Sequence, residues 1–410
     1  MAALFAVTYG ISTPLAAYGV FLPVFAEAFG WSRGAISAAL SLNLVLGGVA
    51  GFMVGALADR HGPRLLLVVT VILASAGFIL VATIDKLWQL YLFVGVLGGI
   101  GMSGFYLLGA STVAHWFVAS RGLALAIVLV GFNLGYITGG PLAAWLIDAV
   151  GWRQAYAWLA GSCGVVTLAA ALSVRLPRGR ETAELRDLAS ASFDGSVEGV
   201  RPGSTLREAL ADARHWYLNA SWLLQGALAL MVSVHIVPFA RDQGIGLAEA
   251  SLALTTYGVG AAVGRLTAGA LSDRLGPRAT IYVAYGLTAL ALLSLRWIPS
   301  REVLLASVAL FGAGFAATDT MVVKVVPDLF GMRAIGAIMG ILTLGWRCGA
   351  AVGPAAAGFL HDLTGSYAIP FGAAPLAVVA SAVLFALGTS TRRGPGLRAR
   401  PSSRGRDRPG

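Results

Sequence analysis

Charge is what this sequence has least of. Only 12% of its 410 residues are Asp, Glu, Lys or Arg, against roughly 25% in an ordinary soluble protein. Lysine occurs twice, at Lys86 and Lys324, and neither follows the glycine spacing of an ATP-binding loop. That removes the ATP-driven pump. Cysteine also occurs twice, at Cys163 and Cys348, in separate apolar stretches that read as core; neither a disulfide framework nor a zinc site follows. No nucleophile–base pair or metal-ligand cluster stands out, and no polar stretch is long enough for a soluble catalytic domain. An enzyme is not expected, and neither is a cofactor or a metal.

What fills the chain instead is apolar sequence, 57% of all residues. Runs of ~20 apolar residues suit helices that cross a bilayer. Twelve are predicted, near 4–26, 36–57, 65–84, 88–113, 122–147, 155–176, 217–239, 250–272, 280–298, 303–326, 335–360 and 370–389. A transmembrane barrel would show short alternating segments, so an all-helical membrane protein is expected. The first run begins almost at Met1 with no basic residue before it, unlike a cleavable signal peptide.

The net charge of +10 would suit nucleic acid, yet its distribution points to topology. With the N-terminus in the cytoplasm, twenty Lys and Arg fall on the cytoplasmic side. Six fall opposite: Arg33, Lys86, Arg153, Arg241, Arg296 and Arg301. Positive charge gathers on the inner side of membrane proteins. An integral inner-membrane protein with both termini inside is therefore expected, with the lipid bilayer as partner and no nucleic acid.

Shifted by 214 positions, the chain matches itself. "GALADRHGPR" (Gly55–Arg64) falls on "GALSDRLGPR" (Gly269–Arg278). With a shift of 213, "GGPLAAWLID" (Gly139–Asp148) falls on "VGPAAAGFLH" (Val352–His361). A six-helix unit is duplicated in one orientation: residues 1–176 form one bundle and 216–390 the other. The polar stretch 177–215 is a cytoplasmic linker, and 391–410, rich in Arg, Pro, Gly and Ser, a disordered basic tail. Such halves place a substrate site where they meet, near mid-membrane. The architecture works as a monomer.

The repeated loop, Gly-x-Leu-x-Asp-Arg-x-Gly-x-Arg between helices 2 and 3 and again between 8 and 9, resembles the signature of the major facilitator superfamily. The resemblance covers about residues 1–390. It implies two pseudo-symmetric six-helix bundles and a loop that latches the cytoplasmic side in the outward-facing state. Those latch roles pass to Gly55, Asp59, Arg60, Gly62 and Arg64, and to Asp273 and Arg274. "YGVFLPVFAEAFGWSRGAIS" in helix 1, "GGPLAAWLIDAVGWRQAY" in helices 5–6 and "GRLTAGALSDRLGPR" in helix 8 are similar to the monocarboxylate transporter branch, close to the oxalate–formate antiporters.

A lone charge at the bilayer centre costs about 2.5–3.5 kcal/mol, so charges that persist there are functional candidates. Arg265 lies about two turns inside helix 8, where its repeat counterpart is Gly51 in the stripe Gly47-x-x-x-Gly51-x-x-x-Gly55. The resemblance places a carboxylate-binding arginine here. Arg347 lies near the middle of helix 11, where the oxalate–formate antiporters have a lysine; arginine offers a carboxylate a two-pronged grip. Asp319 is the one carboxylate well inside a span. It either carries a proton or completes a structural ion pair. The monocarboxylate branch often has its proton-linked aspartate four residues before the helix-8 arginine, and Ala261 stands there instead. His235 is a candidate for substrate binding or proton coupling, while Tyr106, Asn133 and Trp346 are candidate substrate contacts. Lys324 snorkels from the inner end of helix 10.

These residues predict a secondary transporter of small carboxylates such as lactate, pyruvate or oxalate, coupled to a proton or a counter-anion. Two arginines suit a dianion; with Asp319 ionised the sum suits a monoanion, and the sequence leaves both open. An exporter of drugs or other solutes on the same fold is the alternative.

Overall fold

A computed structural model describes residues 1–104, 108, 109, 112, 116, 121–174, 203–295, 300–331 and 333–390, the side chains at 52, 56, 59, 63, 121–126 and 129 excepted. Tyr106, most of the expected linker, the tail and the Asp59 side chain lie outside that set. Among the described residues there are helices and no strands. The first bundle comprises α1 (Ala2–Phe29), α2 (Arg33–His61), α3 (Pro63–Leu80), α4 (Leu87–Met102), α5 (Arg121–Val150) and α6 (Trp152–Ser173). The second comprises α7 (Ala213–Asp242), α8 (Leu247–Leu275), α9 (Pro277–Ser294), α10 (Arg301–Phe330), α11 (Ile335–Thr364) and α12 (Ala368–Thr389). Eight of the described helices are long and apolar enough to cross a membrane. In hydrocarbon every backbone amide must be satisfied within the span, which leaves apolar sequence little choice but helix.

The duplication is written into the helix ends. The boundaries of α2, α3 and α5, advanced by 214, are those of α8, α9 and α11. Six of the seven glycines with positive φ pair at the same offset: Gly30 with Gly244, Gly62 with Gly276, and Gly151 with Gly365. Gly62 and Gly276, at φ 85° and 82°, are the second glycines of the repeated loop. Each closes one helix with its N–H, to Ala58 or Ser272, and the proline after it opens the next. A side chain at either position would be strained.

Packing repeats as well. Gly131, Gly135 and Gly139 of α5 lie against α1, and Gly345, Gly349 and Gly353 of α11 lie against α7, again 214 apart. A Cβ on Gly349 would reach 1.8 Å from the Leu223 carbonyl oxygen, so the backbones touch as small residues in membrane helices allow. α1 and α7 are the most enclosed spans. Before α7, a short linker helix (Leu206–Ala211) is capped by Thr205 and Glu208, and α7 starts at Ala213 on an Asp212 cap, inside the stretch read as linker. In α4, Tyr91–Gly98 winds as a π-helix; the buried Asn43 amide of α2 donates to Val94 O at 2.7 Å within it. Both cysteines are free. Cys163 is buried, whereas Cys348, expected in the core, is exposed on a stripe of α11 with Leu344 and Val352.

Candidate functional site

The bundles meet where Gly19 of α1 packs on Ser233 and Val234 of α7, and along two seams that close from one end only. In the seam of α2 and α11, Gly34 abuts Gly358, the Ser41 hydroxyl donates to Ala351 O, and Gly47 and Gly48 meet Arg347. In the seam of α5 and α8, Gly140 abuts Ser251, the Thr255 hydroxyl donates to Ile137 O at 2.7 Å, and Gly258 rests on Asn133 and Ile137. Further toward the repeated loops, added Cβ atoms on Gly269, Gly336 and Gly340 would meet nothing within 4 Å. Among the described residues, a cleft thus opens between the bundles at the loop end.

A charge network ties the opposite end. Arg33 of α2 grips Asp242 of α7 with two hydrogen bonds of 2.7 Å. Asp362 of α11 accepts from the Arg33 and Gly34 backbone amides at 3.0 and 2.8 Å, capping the start of α2 from the other bundle. His361 Nε2 lies 3.3 Å from Asp242, and the Arg33 guanidinium sits over the Tyr367 ring at 5.4 Å. Burial pushes the Tyr367 phenol above its usual range, so it stays neutral. Its hydroxyl meets His235 Nδ1 at 2.8 Å, while His235 Nε2 meets Pro354 O at 2.8 Å and the Ser37 hydroxyl at 3.2 Å. His235 is wholly buried in this seam. The structure does not bring it to the arginines.

Arg265 and Asp319 do come together. Arg265 Nη2 stands 3.3 Å from Asp319 Oδ2, joining α8 to α10, with both side chains about one-third exposed. Arg265 Nε is buried and has no hydrogen-bond partner among the described residues. On α8, Arg265 lies between the face that meets α5 (Thr255, Gly258) and the face that meets α10 (Gly260, Gly264). It is seven residues past Gly258, about 10 Å along the axis, just beyond the closed part of the seam. Arg347 lies on the α2-facing side of α11, in line with Ala351, Pro354 and Gly358. A Cβ on Gly47 would come 3.6 Å from Arg347 Nη1. No hydrogen bond or ion pair engages its guanidinium among the described residues. Both arginines therefore extend the inter-bundle faces into the cleft.

The remaining candidates divide. Asn133 is half-buried at the inner limit of the α5–α8 seam. Trp346 adjoins Arg347, with its carbonyl against Gly226 and its indole N–H buried and unpartnered. Lys324 pairs loosely with Asp273 at 3.9 Å and Ser272 at 3.4 Å, at the loop end of its own bundle. Arg64 donates to Leu172 O at 2.6 Å, also within its bundle, and Arg60 and Arg274 are exposed. Among the described residues, no hydrogen bond or ion pair from either repeated loop reaches the other bundle. Gly55 is half-buried in α2.

Two groups escaped sequence reasoning. One is the tie itself: Arg33, Asp242, His361, Asp362 and Tyr367. The other is an aromatic row across the bundles, with Phe132–Tyr136, Tyr136–Tyr257 and Tyr257–Phe311 centroids 5.5, 5.6 and 6.0 Å apart. It lies on the closed side of Arg265. Aromatic residues at helical spacing gave the only signal.

Comparison with known proteins agrees with this architecture. The family model described as Major Facilitator Superfamily matches residues 1–240 and 220–408. Monocarboxylate transporter 11 of Mus musculus is 30% identical over 384 residues, covering 90% of this chain and 82% of that protein. Monocarboxylate transporter 13 of Bos taurus is 28% identical over 385 residues, covering 93% and 84%. Among solved structures, a bacterial homolog of the human lysosomal transporter Spinster, in an inward-facing and occupied conformation, superposes with a TM-score of 0.71 at 17% identity over 94% of each chain. The nucleoside transporter NupG gives 0.75 at 11% identity, over 95% of this chain and 99% of that one. At those identities the structures speak for the fold alone.

Proposed function

Because the chain belongs to the major facilitator superfamily of membrane transporters, we propose that it carries small carboxylates across the inner membrane by alternating access, with Arg265 and Arg347 as the binding cations. The observation that carries this reading is their setting. Two guanidinium groups sit on the inter-bundle faces at the head of a one-sided cleft, one held by a single carboxylate contact and the other unengaged. Arginine stays charged at any physiological pH, so in low-dielectric surroundings it seeks an anion. The names of the monocarboxylate transporters it is similar to support the same cargo class.

The loop end is the cytoplasmic end by the placement of basic residues. The cleft then faces inward, and the Arg33–Asp242–Asp362 tie is the outer gate. Trp346 and Asn133 line the site. Asp319, ionised beside Arg265, is the partner with which the cargo carboxylate competes. His235 bears on the outer gate rather than on the cargo in this state.

Uptake of labelled lactate, pyruvate, oxalate and malate into proteoliposomes tests the reading. Arg265→Ala inserts and folds but loses uptake. Uptake that survives this change intact rules out the arginine site.

A further inference from the structure

We infer that Asp319 sets the charge of the cargo, acting as the specificity-determining residue that makes the site accept one carboxylate rather than two. The inference rests on the carboxylate reading above. Its warrant is the set of charged residues that the spans place toward the cleft among the described residues. From the second bundle these are Arg265 on α8, Asp319 on α10 and Arg347 on α11; α7 contributes none, since His235 is enclosed in the outer seam. Lys324 is turned to Asp273 at the loop end. From the first bundle there are none: between their ends α1, α2, α4 and α5 carry no Asp, Glu, Lys or Arg, and neither does the sequence from 87 to 120.

The sum is +1 with Asp319 ionised, and the geometry says how it is divided. Asp319 engages Arg265 through one oxygen at 3.3 Å and leaves Arg265 Nε buried without a hydrogen-bond partner among the described residues. Asp319 is itself one-third exposed to the cleft. One guanidinium is thereby largely neutralised but keeps a donor free, and the other is uncompensated. A monoanion brings this site to neutrality. A dianion leaves an excess negative charge facing Asp319, which low-dielectric surroundings make costly. Removing the Asp319 charge raises the sum to +2 and reverses the preference. Asp319 thus works by negative discrimination, against the second carboxylate.

The test is a competition measurement on the full chain in proteoliposomes, reading the ratio of oxalate to lactate uptake. Asp319→Asn is expected to raise that ratio about tenfold or more. Asp319→Glu keeps it near wild type. Loss of a merely structural pair would lower oxalate and lactate uptake alike and leave their ratio unchanged. Should Asp319→Asn fail to insert, Asp319→Ser carries the same +2 sum and is read in the same way. A ratio that stays within threefold of wild type in the neutral variants overturns the inference while leaving the carboxylate reading standing. Wild-type protein that takes up neither anion overturns that reading, and the inference with it.

Discussion

The two bundles share the ends of three helix pairs and a row of packing glycines, yet hold different chemistry at equal positions. Where α2 has Gly51, α8 has Arg265; where α5 has Asn133, α11 has Arg347; where α1 has Phe21, packed at 4.4 Å on the Tyr156 ring, α7 has His235. The first bundle spends these positions on close packing: Gly47 and Gly51 lie against Gly99 and Ser103 of α4. The second spends them on charge. Duplication supplies a rigid two-part frame, and divergence of a few positions makes one part the reader of the anion and the other the surface it closes against.

Exchanging chemistry at one matched pair of sites breaks that comparison most sharply. Arg347→Ala and Asn133→Ala fall at corresponding positions. Arg347 offers two charge-assisted hydrogen bonds, each worth about 1.5–3 kcal/mol, so its loss is expected to lower carboxylate uptake about 100-fold or more. Asn133→Ala removes one neutral group and is expected to lower it by less than about tenfold, since each tenfold step is about 1.4 kcal/mol. Initial rates at limiting lactate in proteoliposomes decide. Equal losses would mean that the two bundles share the cargo evenly.

The second comparison is between the two ends of the seams. At the closed end, Arg33 joins the bundles through two hydrogen bonds to Asp242; at the loop end, no described contact joins them. Arg33→Ala is expected to loosen only the closed end. A loss of about 1–2 kcal/mol shifts the population by roughly 5–30-fold. In a background lacking Cys163 and Cys348, a cysteine placed at Ser41 should react with an impermeant maleimide faster by that factor. An unchanged rate would show that the glycine contacts at Gly34 and Gly358 hold the seam alone.

How far the sequence could be read follows the range of the interactions. The spans, the repeat and the loop motif are local patterns, and the ends of α2, α3 and α5 match those of α8, α9 and α11 to the residue at an offset of 214. Arg265, Arg347 and Asp319 were visible because a charge inside an apolar run is conspicuous by itself. The tie at the closed end was not visible. Arg33 lies 209 residues from Asp242 and 329 from Asp362, and each sits near a span end, where a charge looks like ordinary topology. His235 was placed with the site from its residue type and depth. Its partners, Tyr367 and Pro354, are 132 and 119 residues away, and nothing near it in sequence announces them. Cys348 was read as core because it lies within a predicted span, and only packing shows which side of α11 faces out.

The smallest expected effect sharpens the claim about charge. Lys324 and Asp273 also form an ion pair between α10 and α8, on the same two helices as Asp319 and Arg265. They stand 3.9 Å apart with side chains 47% and 79% exposed, at the loop end. An exposed pair of this kind contributes about 0–1 kcal/mol, because water solvates both partners when they separate. Lys324→Ala is therefore expected to shift the melting temperature of the purified protein by no more than one or two degrees, on the order of 0.5 kcal/mol or less for a chain of this size, and to leave uptake within about twofold. Two ion pairs on one pair of helices would then differ in consequence by their depth. A large loss of uptake in Lys324→Ala would mean instead that the binding site extends one turn or more beyond the arginines.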